Sequence, residues 1–127
     1  MIAEKLEALV ILGITNSRMK DFFDLWTIAC QANLDGTILR DAVVATFTRR
    51  ETPMPSSTPI GLTDIFSRDA HKMQQWRGFI SKNALDEVPL VDVVDVICTF
   101  LVPVIESAYR GTPFNNGWQP GSGWTRR

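Results

Sequence analysis

Lys5, Asp21 and Asp24 are the side chains of this 127-residue sequence whose types and spacing best suit chemistry. On a helical wheel of ~100° per residue, Lys5 falls inside the apolar arc of the first helical segment, beside Leu9 and Leu12 rather than with Glu4 and Glu7. An ammonium there needs a partner or must snorkel outward. Asp21 and Asp24 stand three residues apart, neighbours on one helical face at the edge of an apolar surface that includes Leu25 and Ile28. A lysine beside paired carboxylates suits phosphate chemistry: the ammonium holds a phosphate as a point charge, and a carboxylate accepts a proton or orients a hydroxyl. The same residues also fit a plainer arrangement. Arg18 with Asp21 at i,i+3 and Lys20 with Asp24 at i,i+4 make surface ion pairs contributing roughly a few tenths of a kcal/mol.

Other residues offer less. His71 is the only histidine and has no Cys or acidic cluster at ligand spacing, so it reads as solvent-facing rather than as a metal ligand or base. No serine sits in a Gly-x-Ser-x-Gly elbow, which argues against a nucleophilic hydrolase. Asp92 and Asp95 read as a solvated face. Trp118 and Trp124 could stack bases, but only Arg126 and Arg127 lie near them, so tail packing is preferred. Arg49 and Arg50 complement the dipole at a helix end. Thirteen basic against fourteen acidic side chains give a net charge of -1, excluding nucleic-acid binding by bulk charge. Cys30 and Cys98 are isolated within apolar segments, as reduced cysteines in a cytoplasmic protein would be. Residues 96–105, the longest strongly apolar stretch, are about half of what a bilayer span needs and are bracketed by Asp92, Asp95 and Glu106. Neither a membrane span nor a secretory leader is expected.

The elements that must position the lysine and the carboxylates follow from periodicity. Ile2, Leu6, Leu9 and Val10 mark a first helix ending at Gly13. Asn16 or Ser17 caps a second, running to about Gln31 with a broad face of Met19, Phe22, Phe23, Trp26, Ala29 and Cys30. The short connection between them lets two antiparallel helices bring Lys5 and the carboxylates to one wall, with the pairing of ends left open. Thr37 caps a third helix. Residues 51–60, with three prolines and a Ser-Ser-Thr run, read as an internal linker. Ser67 or Asp69 starts a helix to Asn83. Residues 88–109 are rich in Val and Ile, yet Leu90, Val94, Ile97, Leu101, Val104 or Ile105, and Ala108 repeat at three and four, which predicts a long buried helix kinked at Pro103. No segment reads convincingly as a strand. The expectation is one all-α domain over 1–127, a bundle of about five helices with an irregular tail at 111–127 strapped onto it. Trp26, Trp76, Phe79, Ile97 and Leu101 should be buried. The first helix is apolar on nearly all sides from Ala8 to Leu12, so an apolar patch and self-association are expected.

The blocks Ala3-Glu4-Lys5-Leu6-Glu7-Ala8-Leu9, Leu12-Gly13-Ile14 and Asn16-Ser17-Arg18-Met19-Lys20-Asp21-Phe22-Phe23-Asp24-Leu25 resemble the C-terminal half of the AbiEii/AbiGii toxin family of nucleotidyltransferases. The likeness continues through Thr46-Phe47, Arg49-Arg50, Gln75-Trp76-Arg77, Phe100-Leu101 and the two Gly-Trp pairs of the tail. The resemblance implies a bacterial toxin of the polymerase-β-like superfamily, acting in abortive phage infection beside a DNA-binding antitoxin. It implies that Lys5 serves the nucleotide phosphates and that Asp21 and Asp24 complete the active site. The complete enzyme would use Mg2+ and a nucleoside triphosphate. The family's Gly-Ser turn and Asp-x-Asp metal-binding pair have no counterpart before Lys5. The expectation is therefore a helical part inactive by itself, whose metal-binding half is missing or lies on an adjacent polypeptide. The alternative is a stand-alone helical interaction module or a truncated remnant without catalysis.

Overall fold

Three-and-four spacing prevails over strand propensity in the C-terminal third. The computed structural model describes residues 1–127, and in it Leu90–Arg110 is one α-helix passing through Pro103. Val93, Val94, Ile97, Phe100, Leu101, Val104 and Ile105 are all buried, because a helix gathers these positions into one stripe whereas a strand would send alternate members to opposite faces. Gly111 ends the helix in the left-handed conformation at φ 67, donating its N–H to the Ser107 carbonyl.

The other helices are α1 (Ile2–Leu12), α2 (Met19–Gln31), α3 (Gly36–Arg49), α4 (Asp64–Ser67) and α5 (Ala70–Lys82); the C-terminal one is α6. α6 is the hub, contacting α2, α3 and α4, while α1 lies chiefly on α3 and α2 also meets α5. The fold is mostly helical, as periodicity predicts, with six helices rather than five. Of the two starts expected for α5, Asp69 is its cap, whereas the cap expected for α3 moves. Asp35 rather than Thr37 caps α3, its Oδ1 accepting from the N–H groups of Thr37 at 2.9 Å and Ile38 at 3.3 Å. Asp69 caps α5 by accepting from Lys72 N–H at 3.0 Å. Trp76, Ile97 and Leu101 are buried. Trp26 and Phe79 are only half-buried, lying with Phe23 beside the buried Trp76 in an aromatic row at the α2–α5 edge. Cys30, expected on the apolar face of α2, is exposed at that helix's last turn.

The tail holds the principal departure. After an irregular run at 112–115, β2 (Asn116–Gln119) and β3 (Gly123–Arg126) form an antiparallel hairpin, and β2 also pairs with the two-residue β1 (Leu34–Asp35). Such short strands carry no readable alternation, and their stability comes from tertiary contacts. Trp118 faces Trp124 across the hairpin, and both pack on Phe100 of α6. Their indole N–H groups donate to the carbonyls of Ala29 at 2.8 Å and Phe100 at 2.7 Å. Gly36 admits this strap: a Cβ there would lie 2.6 Å from the Asn116 carbonyl oxygen and 2.7 Å from the Phe114 ring.

Candidate functional site

The connection between α1 and α2 sets the site. After a 3-10 turn at Gly13–Thr15, the side chain of Asn16 turns back to accept the Arg18 N–H at 2.8 Å, and α2 begins at Met19. Lys72 of α5 anchors this corner, its Nζ donating to the Asn16 carbonyl at 2.9 Å and to Gln75 Oε1 at 3.2 Å. The two helices then bring Lys5 Nζ to 3.1 Å from Asp21 Oδ1 and 3.0 Å from Asp24 Oδ2. All three predicted side chains meet.

The surface pairs are present too. Arg18 Nε lies 3.0 Å from Asp21 Oδ2, and Lys20 Nζ lies 2.8 Å from Asp24 Oδ2. The two arrangements therefore form one cluster of three cations on two carboxylates. Burial graduates it: Asp21 is buried and Lys5 and Asp24 are half-buried, whereas Arg18 and Lys20 are exposed. Asp21 Oδ2 is shielded from water and receives no aligned hydrogen bond, so it retains accepting capacity. Burial works against the charge on Lys5, but the hydrogen bonds to Asp24 and Asp21 outweigh it and raise its pKa above the ordinary lysine value. Burial likewise disfavours the Asp24 carboxylate, and Lys20 and Lys5 outweigh it and pull its pKa down. The lysine is held charged and aimed at one spot.

Glu7 corrects the helical wheel. Rather than facing away with the solvent, it is buried at 7% exposure between α1 and α3, bonded at 2.8 Å both to Arg50 Nη1 and to Thr52 Oγ1. Burial raises its pKa, and the bonds from Arg50 and Thr52 more than reverse this, leaving it below the usual carboxylate range. Arg50 thus does more than terminate a helix, and Arg49 stays exposed 3.9 Å from Glu4. Asn16, expected only as a cap, is buried; Lys72, also buried, was not singled out by the sequence, although a signal was there, since it shares a four-residue spacing with Trp76 and Ile80 on the apolar face of α5. His71, Asp92 and Asp95 are exposed, as their spacing suggests. Nowhere do three or more His, Cys, Asp or Glu side chains gather as a metal would require, and Asp21 and Asp24 are already engaged by cations. The residues present fit an anion and do not by themselves fit a metal ion.

The family model for the nucleotidyl transferase AbiEii toxin of type IV toxin–antitoxin systems matches residues 1–100. The chain belongs to the AbiEii family. Lys5, Asp21 and Asp24 all lie within the matched span, whereas the hairpin lies beyond it. An AbiEii toxin has an antitoxin as its counterpart in the system its family describes. No curated protein and no solved structure matches the chain. No helix of this AbiEii chain is long and apolar enough to cross a membrane.

Proposed function

We propose that this chain is the C-terminal helical domain of an AbiEii-type nucleotidyltransferase, in which Lys5 holds the nucleotide phosphates and Asp21 and Asp24 complete the active site. The observation that carries this reading is the Lys5 ammonium 3.1 and 3.0 Å from the two carboxylates, with Arg18 and Lys20 beside them. Three cations against two carboxylates leave a local excess of positive charge, which suits a triphosphate. The carboxylates keep Lys5 charged and fixed before any nucleotide arrives, so that little reorganisation is needed. Asp21 Oδ2, which faces Arg18 Nε at 3.0 Å without an aligned hydrogen bond, keeps a lone pair for orienting a hydroxyl or taking its proton. The carboxylates for Mg2+ come from a metal-binding half on the same or an adjacent polypeptide, since residues 1–127 hold no Asp-x-Asp pair and no cluster of metal-ligating side chains. The setting is the bacterial cytoplasm, in abortive phage infection, with a DNA-binding antitoxin as counterpart. A second reading, a stand-alone interaction module, is favoured by the exposed apolar side chains of Ile11, Ile14 and Ile60.

Lys5→Met in a protein carrying the metal-binding half tests the assignment. The fold should persist while nucleotidyl transfer falls at least ~100-fold, the order expected when a preorganised charge on a transferring phosphate is lost. Near-normal transfer would remove Lys5 from the active site. The chain alone, with Mg2+ and each NTP, should transfer nothing; labelled product that depends on Asp21 or Asp24 would refute the need for a second half.

A further inference from the structure

Lys72 is the only basic residue of the chain that is buried, and it forms no ion pair. Its ammonium donates instead to the Asn16 carbonyl at 2.9 Å and to Gln75 Oε1 at 3.2 Å, and it lies 5.6 Å from the centre of the Phe66 ring. Taking an ammonium out of water without a counter-charge is costly, and an apolar side chain of similar length would cover Phe66 without that penalty. Stability alone does not account for a lysine here.

Two physical paths lead from Lys72 to Asp21. One runs through hydrogen bonds: Lys72 holds the Asn16 carbonyl, Asn16 Oδ1 accepts the Arg18 N–H at 2.8 Å, and the Arg18 carbonyl accepts the Asp21 N–H at 3.0 Å. The other runs through rings: Lys72 lies against Phe66, which stacks on Phe22 with centroids 4.9 Å apart, and Phe22 follows Asp21 in sequence. One side chain of α5 therefore restrains the chain both before and after Asp21. We infer that Lys72 is a positioning residue, fixing the first turn of α2 so that Asp21 Oδ1 stays 3.1 Å from Lys5 Nζ. What the pair is used for rests on the proposed nucleotidyl transfer; how it is held does not.

The ammonium protons of Lys5, observed by NMR in the ¹⁵N-labelled chain, report the pair directly, because bonds to two carboxylates slow their exchange with water. Lys72→Met should keep the fold and a nearly unchanged urea midpoint, since no longer burying a charge offsets the lost bond to Asn16. Exchange at Lys5 should nevertheless quicken about tenfold, the factor carried by one charge-assisted hydrogen bond. Asn16→Ala breaks the second link, retains the backbone carbonyl and removes a buried amide nitrogen that has no partner, so it should fold and quicken exchange likewise. It decides the matter alone if Lys72→Met does not fold. Ile80→Val, a truncation on the same face of α5, should lower the urea midpoint without touching Lys5 exchange, as a merely structural residue would. In a protein carrying the metal-binding half, Lys72→Met should lower kcat about tenfold and leave the nucleotide KM nearly unchanged, because Asp21 is displaced while Lys5 remains. Near-normal transfer by Lys5→Met would remove the transferase reading and leave the exchange result standing. Unaltered Lys5 exchange in Asn16→Ala, or in a folded Lys72→Met chain, would overturn the positioning role.

Discussion

Glu7 and Lys5 sit two residues apart on α1 and meet opposite fates, because the helix is covered on two sides: Arg50, at the C-terminal cap of α3, reaches one, and α2 supplies aspartates to the other. Folding holds the pKa values of Glu7 and Asp24 low, so on acidification the unfolded chain takes up protons first and stability falls with pH. The fall should begin near the unfolded carboxylate range of about pH 4–5 and continue below it, and Glu7→Gln should flatten the slope of the urea midpoint against pH there. Lys5 acts with the other sign. Its raised pKa gives stability that is complete below the unfolded lysine value and is lost only as pH climbs through the folded one. Lys5 was legible because an ammonium on an apolar arc demands a partner. Glu7 was not, since Arg50 is 43 residues away and only the packing of α1 on α3 brings it near.

At the scale of elements, α6 was legible and the hairpin was not, for one physical reason. A long helix repeats its burial pattern several times, so chance matches average out. Four-residue strands repeat it barely twice, and β2 is held instead by Trp118, whose ring lies 4.8 Å from Phe100 and whose indole bonds to α2. The sequence did reveal that these tryptophans would seek cover. What it lacked was the partner strand, which comes from residues 34–35 far upstream. If the hairpin is integral to the core, Trp118→Ala should cost about 3–5 kcal/mol in chemical denaturation, as for other large aromatic truncations. A loss below about 1 kcal/mol would mean the strap is ornamental to the bundle.

For the molecule as a whole, the expected apolar surface is present but smaller than α1 alone suggests. Leu9 is buried and Leu12 half-buried, while Ile11 and Ile14 remain exposed at 61% and 39%. Ile60 joins them, its side chain close to Gly13 and itself 37% exposed. Sedimentation velocity should show concentration-dependent association of the chain, and Ile11→Glu should return it to monomer. A monomer at every concentration would assign that patch to solvent. The closing of the sheet also has a bearing on how the protein is made. β1, placed between α2 and α3, receives its partner strand from a segment far later in the sequence, and Arg127 pairs with Asp35, the cap of α3. During vectorial synthesis the N-terminus of α3 must wait, undressed, for residues 116–127, which are made long after it. Each nascent copy therefore spends the interval between the synthesis of residue 35 and that of residue 127 with this helix end uncovered.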